Sequence, residues 1–437
     1  MAEDFVNFQF PKASSSIIKV IGAGGAGCNA VNHMFEEGIA GVDYIICNTD
    51  AQALENSKVP IKIQLGVTLT EGRGAGNKPE MGAEAARENY EDLKQVLQEN
   101  TKMLFITAGM GGGTGTGAAP VIASLARELD ILTIAVVTIP SPAEGRKRYD
   151  QAQEGINQLK EYVDSMLVIS NDRLHSIYGD LPASKAFKMA DNIVATAVKG
   201  VAEIITVHGN VNIDYTDVHT VMHKSEVFIM GTGFATGEGR AMEAVQAALE
   251  SPLLDSNDIY GTKNILLNII SGSEEIRIGE IGEIIEQLQE KAGQEADIIW
   301  GNGYDEKLGD KISVTILATG FDTNPNSILQ PAPETQKFEL EEEEEMHGVV
   351  NETPENELED ETQNAAREQE SEEEEETIIV SPPVNHSFRK KERKTKRARK
   401  EKRKKDEPVP ESNVDNWFFR NFGLGKLFDE DDQSMDG

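Results

Sequence analysis

Cysteine, basic residues and long apolar runs are all scarce in this chain. Cys28 and Cys47 are its only cysteines, so a disulfide framework is excluded and a reducing compartment is expected. Lys and Arg number 42 against 76 Asp and Glu, which argues against a protein that coats nucleic acid through a basic surface. The longest apolar runs, such as residues 131–139, have the length of a strand and are too short to span a bilayer, and the N-terminus lacks the basic region of a signal peptide. We therefore expect a cytoplasmic protein that has no transmembrane segment and binds no nucleic acid directly.

The first part of the chain alternates short β-rich runs with segments of helical periodicity. Strands are predicted at residues 17–22, 44–48, 103–108, 132–138 and 165–170. This alternation is typical of the parallel sheet with crossover helices found in Rossmann-like α/β folds. We assign residues 16–181 to a nucleotide-binding domain, preceded by residues 1–15 as a disordered extension.

A long helix is predicted over residues 181–206, where apolar side chains recur with helical spacing over a wide face. Such a face must be largely buried, so this central helix, assigned to residues 182–207, is expected to join two domains. Beyond it, four strands and two helices predict a second, smaller α/β domain at residues 208–325. The strands are expected at residues 227–230, 264–270, 297–301 and 311–319, and the helices at 239–249 and 279–291.

The last quarter of the chain has the composition of a disordered tail. Residues 339–376 carry 19 acidic side chains against one basic, and residues 389–405 carry 13 basic against two acidic. Neither block has enough apolar surface to offset the entropy of ordering, so residues 326–410 are predicted to be a disordered charged linker. The basic block could contact an anionic membrane, nucleic acid or only the acidic block, and a solvated charge run is the commonest case. Aromatic residues return at the end, which indicates a partner-binding peptide at residues 411–437.

A run of seven glycines and threonines, residues 111–117, follows a predicted buried strand and precedes a helix expected from about Val121. Backbone N–H groups of such a run can converge on an anion, and the helix N-terminus adds its positive dipole end, so the run predicts a phosphate site. A flexible linker is the alternative, but linkers do not usually connect a buried strand to an amphipathic helix.

A second glycine-rich segment, residues 22–27, matches Gly-x-Gly-x-x-Gly after the first strand. Alone, this weak motif indicates an NAD-linked oxidoreductase. A simple dinucleotide-binding domain lacks the second glycine run, however, and two such loops at neighbouring strand ends would hold one polyphosphate from two sides. The chain contains no Gly-x-x-x-x-Gly-Lys-Ser/Thr motif, which excludes a P-loop nucleotidase.

Taken together, the motifs resemble those of the tubulin/FtsZ family of GTPases. The run at 111–117 is similar to the tubulin signature, and residues 48–54 and 72–82 resemble the bacterial cell-division branch. The resemblance extends over residues 17–321 and implies a cytoskeletal GTPase that polymerises head-to-tail and forms the contractile ring at the bacterial division site. A relative that acts in plasmid segregation or cell shape remains an alternative.

The resemblance also implies which residues bind GTP or GDP. Glu144 and Arg148 are expected near the ribose and phosphates, and Asn171, Phe187 and Asp191 around the guanine, whose N1–H and N2–H donors suit a carboxylate. Mg²⁺ is expected to bind mainly through the nucleotide phosphates, without a dedicated protein site. The remaining nucleotide residues implied are Gly24, Gly25, Ala26, Gly27, Cys28, Asn29, Gly76, Gly111, Gly112, Gly113, Thr114, Gly115, Thr116 and Gly117.

Asn212, Asp214 and Asp217 follow the central helix at the end opposite the glycine loops. A helix of about 24 residues would hold them roughly 35 Å from the phosphates of the same molecule. The segment resembles the catalytic loop of the family, which enters the nucleotide site of the next subunit. Such a head-to-tail contact generates a filament when it does not close into a ring.

The C-terminal peptide is expected to dock on membrane-adaptor and division proteins, which would bring the chain to the mid-cell ring. The nearest match to the usual tail motif of the family, residues 415–420, lacks its proline and is one residue short. The sequence does not identify the adaptor.

Overall fold

Six parallel strands form the first half of the sheet in the computed structural model, which describes residues 15–172, 181–207, 209–251 and 259–321. Their spatial order is β3-β2-β1-β4-β5-β6, with parallel pairing throughout. The predicted Rossmann-like arrangement is therefore confirmed. The strands are β1 (Ile18–Ala23), β2 (Val42–Asn48), β3 (Ile61–Gln64), β4 (Met103–Gly109), β5 (Leu132–Ile139) and β6 (Ser165–Ser170).

Strand β3 is the strand of this half that the sequence pattern does not predict. It is four residues long and lies at the edge of the sheet. Ile63 is its one buried side chain, so neither a continuous apolar run nor a clear alternation marks it.

A mixed sheet continues from β6 in the order β7-β10-β8-β9. Strands β7 and β10, and β10 and β8, are antiparallel, whereas β8 and β9 are parallel. Only two residue pairs, Ser165 with Glu226 and Met166 with Val227, join β6 to β7. This half confirms the second α/β region. Its strands are β7 (Glu226–Thr236), β8 (Asn264–Ser271), β9 (Asp297–Tyr304) and β10 (Lys311–Thr319).

Helices cover the strands and build a separate buried cluster in each half. In the first half these are α1 (Gly24–Glu37), α2 (Ala51–Glu55), α3 (Val67–Thr70), α4 (Pro79–Glu88), α5 (Tyr90–Gln98), α6 (Thr114–Glu128) and α7 (Arg146–Lys160). They are followed by α8 (Ala183–Thr206), α9 (Tyr215–Met222), α10 (Arg240–Leu249) and α11 (Ile278–Ala292). None of the described helices is both long and apolar enough to span a membrane.

Helix α8 is the predicted central helix, and it contacts both halves. It packs against α1 and β5 of the first half. On its other side, Gly200 lies so close to β7 and β10 that a Cβ there would approach Met230 Cε to 2.6 Å. Ile193, Val194 and Val201 are buried along its length, which explains why its apolar face is wider than that of a surface helix.

Several predictions concern residues outside the described ranges. These are the charged linker at 326–410, the C-terminal peptide at 411–437 and all of the extension at 1–15 except Ser15. Ser15 lies within the described residues, and its hydroxyl donates a 3.0 Å hydrogen bond to Asp43. The boundaries drawn between domains stay predictions.

Candidate functional site

A cavity of about 420 Å³ opens at the carboxyl ends of β4 and β5, between the N-terminal turns of α1 and α6 and the side of α8. Ligands of open parallel sheets bind at this edge. The lining residues are Gly25, Ala26, Asn29, Ala30, Thr107, Ala108, Gly109, Met110, Gly112, Gly113, Thr114, Gly115, Thr138, Pro140, Glu144, Arg148, Asn171, Ala190, Asp191 and Val194.

Helices α1 and α6 direct their N-termini to this one cavity, because the two glycine segments contact each other directly. Gly24 has φ +72°, and a Cβ there would lie 2.7 Å from the backbone nitrogen of Gly115. A Cβ at Gly25 or Gly112, by contrast, would meet no protein atom within 4 Å. Two helix N-termini beside open space of this kind form an anion-binding cradle.

Helix α6 begins at Thr114, seven residues before the position expected from the sequence. Half of the Gly-Thr run is therefore the first turn of a helix and not a loop. Close packing explains why glycine occupies this helical turn: a Cβ at Gly117 would overlap the carbonyl oxygen of Pro79, the first residue of α4. Glycine is needed there to let two helices approach.

The two threonines of the run have different roles. Thr114 lines the cavity, and its hydroxyl forms a 2.6 Å hydrogen bond with the hydroxyl of buried Thr49. Thr116 is buried, and its hydroxyl accepts a 2.8 Å hydrogen bond from the backbone N–H of Gly111. Thr116, which the resemblance also implies as a nucleotide residue, thus uses its hydroxyl to hold the start of the loop at Gly111.

Glu144 and Asn171 meet at one wall of the cavity. Glu144 Oε1 accepts hydrogen bonds from Asn171 Nδ2 and from the backbone N–H of Ser141, each at 3.1 Å. The hydroxyl of Ser141 donates to Asp172 at 2.8 Å. Ser141 is fully buried and Asp172 adjoins Asn171, so these two residues, which the sequence patterns do not mark, hold the wall in shape.

Asp191 projects from α8 into the cavity. Burial raises the pKa of its carboxyl from 3.8 to about 6, and the nearby His33 ring partly offsets that rise. A carboxylate deprived of water in this way gains from a ligand that donates hydrogen bonds to it.

The cavity brings together eleven of the predicted nucleotide residues and leaves others outside its lining. Gly76 is not among the lining residues and has φ +59° in a separate loop. Five others belong to the two glycine segments but do not line the cavity: Gly24, Gly27, Gly111, Thr116 and Gly117. Phe187 belongs to α8, but its side chain lies outside the described residues. The eleven are Gly25, Ala26, Asn29, Gly112, Gly113, Thr114, Gly115, Glu144, Arg148, Asn171 and Asp191.

Cys28 also lies outside the lining, in α1. Its thiol is buried and points to the carbonyl oxygens of Gly22 and Cys47. Burial raises the pKa of this thiol to about 12, which keeps it neutral and unreactive.

Thr107 and Thr138 also line the cavity, although neither belongs to the motifs identified in the sequence. Both lie near the carboxyl ends of buried strands, β4 and β5. The general position of ligand sites in parallel sheets is the signal that would have found them.

Asn212, Asp214 and Asp217 lie beyond the far end of α8, whose 24 residues span about 36 Å. Asp214 caps α9: its Oδ1 accepts from the backbone N–H groups of Thr216 and Asp217, and Asp217 Oδ2 accepts from Asp214 N–H. Asn212 and Asp214 are exposed, and none of the three residues lines the cavity. The structure therefore does not bring them to the cavity of their own molecule.

Among the residues that the structure describes, no group of three or more His, Cys, Asp or Glu side chains is arranged to hold a metal ion.

Two family models match the chain. The Tubulin/FtsZ family GTPase domain matches residues 17–179, and the FtsZ family C-terminal domain matches residues 227–322. The first match includes both glycine segments, so the dehydrogenase alternative is wrong.

Curated relatives agree with these matches. The chain is 44% identical over 324 residues to the cell division protein FtsZ of Porphyromonas gingivalis, covering 74% of this chain and 71% of that protein. It is 48% identical over 329 residues to the FtsZ of Azotobacter vinelandii, covering 73% of this chain and 82% of that protein.

Solved structures show the same relationship. An FtsZ dimer from M. jannaschii matches with a TM-score of 0.65 and 41% identity over 71% of this chain and 89% of that one. CetZ2 from Haloferax volcanii matches with a TM-score of 0.60 over 69% of this chain and 92% of that one, but at 19% identity this shows likeness of fold alone. With relatives this similar over more than two thirds of their length, the chain belongs to the tubulin/FtsZ family of GTPases, in its FtsZ branch.

Proposed function

We propose that this protein assembles head-to-tail into GTP-dependent protofilaments of the bacterial division ring, and that each nucleotide site is completed by the catalytic loop of the next subunit. The observation that carries the proposal is the separation of Asp214 and Asp217 from the cavity by the length of α8. Carboxylates that orient the attacking water must reach the nucleotide, and Asp214 and Asp217 could do so only in the site of another molecule.

The cavity has the chemistry that GTP requires. The first turns of α1 and α6, with open space at Gly25 and Gly112, suit the phosphates. Asp191 suits the N1–H and N2–H donors of guanine, and Asn171 lines the same cavity. Phe187 lies one turn earlier on α8. Glu144 and Arg148 line the region between, where the ribose and phosphates would lie.

In the assembled site, Asp214 and Asp217 would orient and polarise the attacking water, with Asn212 close to the phosphates. Each carboxylate uses one oxygen in the α9 cap, so that the second oxygen can face a partner. Phosphoryl transfer of this kind depends mainly on positioning and electrostatics. Mg²⁺, bound through the phosphates, would neutralise charge on them.

Assembly is supported by a relative: the M. jannaschii FtsZ, 41% identical, has been solved as a dimer. The curated relatives are named as cell division proteins, which favours the division ring over plasmid segregation or cell shape. We place the protein in the cytoplasm at mid-cell, with residues 411–437 docking on membrane-adaptor and division proteins. Removal of residues 413–437 should leave polymerisation in vitro intact and abolish recruitment to membranes.

The test of the trans site is phosphate release against protein concentration, measured with light scattering in GTP and GDP. Phosphate release should be near zero below a critical concentration and rise linearly with the protein above it, and scattering should require GTP. Asp214→Asn, which keeps the size of the side chain and removes its charge, should bind GTP normally and turn over about 10² to 10⁴-fold more slowly, in longer-lived filaments. Turnover that stays proportional to protein at high dilution would refute the proposal.

A further inference from the structure

One residue of strand β9, Asn302, binds both backbone polar groups of Val211 in the segment before α9. Asn302 Oδ1 accepts a hydrogen bond from the N–H of Val211 at 2.9 Å. The backbone N–H of Asn302 donates to the carbonyl oxygen of Val211 at 3.0 Å. This is an isolated antiparallel bridge on the outer strand of the sheet.

Glycines on both sides of Asn302 allow the segment to lie directly on the strand. A Cβ at Gly301 would lie 3.0 Å from both the carbonyl oxygen of Val211 and Cγ1 of Ile213. A Cβ at Gly303 would lie 2.8 Å from Cγ1 of Val207. In the Gly-Asn-Gly sequence, two residues without side chains leave room for the segment, and the asparagine between them forms the hydrogen bonds to Val211.

The two hydrogen bonds of Asn302 hold the backbone next to the proposed catalytic residues. Asn212 follows Val211 directly, and its Oδ1 accepts a 2.6 Å hydrogen bond from Gly209 N–H, so its amide N–H₂ group is left to face outward. Ile213 is buried, and Asp214 then begins the cap of α9. A displacement of Val211 would move Asn212 and Asp214 with it.

We propose that Asn302 is a positioning residue for hydrolysis. It fixes the position of the segment 209–214 relative to β9, and thereby the positions that Asn212 and Asp214 take in the site of the next subunit. The inference rests on the proposed trans site. Asn302 itself touches no nucleotide; it acts through the backbone of Val211.

A further side-chain hydrogen bond to the segment lies at the surface. Asn210 Nδ2 donates to Glu275 Oε1 at 2.8 Å, but both side chains are exposed. Without the Asn302 side chain, the Val211 N–H would have water as its partner and the segment would lose one of its two bonds to β9. Misplacement of a reacting group by about 1 Å can cost 10²-fold in rate, so a loosened segment is expected to lower turnover by about tenfold.

The experiment compares Asn302→Leu, which removes the acceptor at similar volume, with Asn302→Asp, which keeps an oxygen in the acceptor position. Four quantities are measured on the full chain: turnover per subunit above the critical concentration, the critical concentration, the Kd for GTP below it, and the melting temperature. For Asn302→Leu we expect turnover about tenfold lower, with the critical concentration and Kd within about twofold of wild type. Asn302→Asp should stay within about threefold of wild-type turnover.

Asn302→Ala removes the acceptor without adding apolar bulk, and it keeps the test valid if the leucine variant folds poorly. Wild-type turnover in Asn302→Ala and Asn302→Leu would overturn the inference. So would parallel losses of turnover, assembly and melting temperature in both, because that pattern indicates a purely structural role. Asp214→Asn serves as the reference: if it also hydrolyses GTP normally, the proposed function has failed and not only the role of Asn302.

Discussion

The pKa of Asp191 provides a direct test of how this cavity binds a guanine base. Burial holds the carboxyl at a pKa of about 6 in the nucleotide-free protein. Guanine donates N1–H and N2–H to a carboxylate, so it should bind the ionised form. At pH 5, one unit below that pKa, about one carboxyl in ten is ionised, and affinity should be about tenfold lower than at pH 7 from this group alone.

The phosphates of GDP titrate in the same range, so the measurement needs a matched control. Asp191→Asn has nearly the same shape and no titrating group. Its amide N–H₂ would face a guanine donor, which should weaken GDP binding at neutral pH by about 10²-fold, equivalent to about 3 kcal/mol. Because xanthine presents an oxygen in place of the N2 donor, the variant should gain affinity for xanthosine nucleotides.

The assay is the Kd of a fluorescent GDP analogue for both proteins below the critical concentration, at several pH values between 7.5 and 5. The Kd of Asp191→Asn divided by the Kd of the wild type should fall by about tenfold as the pH falls through 6. A ratio that is constant over this range, or a variant that keeps wild-type affinity at neutral pH, would refute the assignment of Asp191 to the base.

The same shift predicts a change in stability with a definite sign. The folded pKa of Asp191 lies above 3.8, so the ionised carboxyl destabilises the empty fold, by about 3 kcal/mol at pH 7. This penalty is absent below pH 3.8, grows as the pH rises towards 6 and is constant above it. Asp191→Asn should therefore raise the melting temperature of the nucleotide-free protein at pH 7 and have little effect near pH 3.5, as differential scanning calorimetry would measure.

Three further substitutions test nucleotide binding at one position and the stability of the fold at two others. Gly112→Val places a side chain in the open cradle and should lower nucleotide affinity by more than about tenfold with little change in melting temperature; equal affinity would show that the phosphates lie elsewhere. Gly117→Ala should instead destabilise the fold by about 2 kcal/mol, because its Cβ overlaps Pro79, and an unchanged urea midpoint would contradict this packing. Arg240 is buried and binds Glu280 through two hydrogen bonds, so Arg240→Met should cost about 3 kcal/mol in urea unfolding. The double variant with Glu280→Met should recover the part of that loss that comes from the unpaired carboxylate, but not the part that comes from the hydrogen bonds of Arg240 to the carbonyl oxygens of Glu274 and Glu275. A double variant that is no more stable than Arg240→Met would contradict this.

Local patterns were sufficient for most of the fold. The buried strands of the first half are continuous apolar runs, and the face of α8 is wide, so both are marked in the sequence. Strand β3 is short and half exposed, and it carries no such mark. The true start of α6 was missed because glycine usually indicates a loop, whereas here it serves the close approach of α6 to α4.

The candidate site divides in the same way. Residue types at fixed spacing identified the two glycine segments, since phosphates demand such groups. Asp191 and the remote pair Asp214 and Asp217 were implied only by the resemblance to the family. Only the tertiary structure decided that Thr116 closes a loop while Thr114 faces the cavity, because that choice depends on where a second segment, with Thr49, is packed.

The sequence by itself thus determined the nucleotide chemistry, which resides in residue types and short motifs. The tertiary structure decided which of those residues share one cavity, and it placed the carboxylates at the other end of α8. It also brought Asn302 to Val211 across 91 residues of chain. Such a contact depends on the order of strands in the sheet, and no local pattern encodes it.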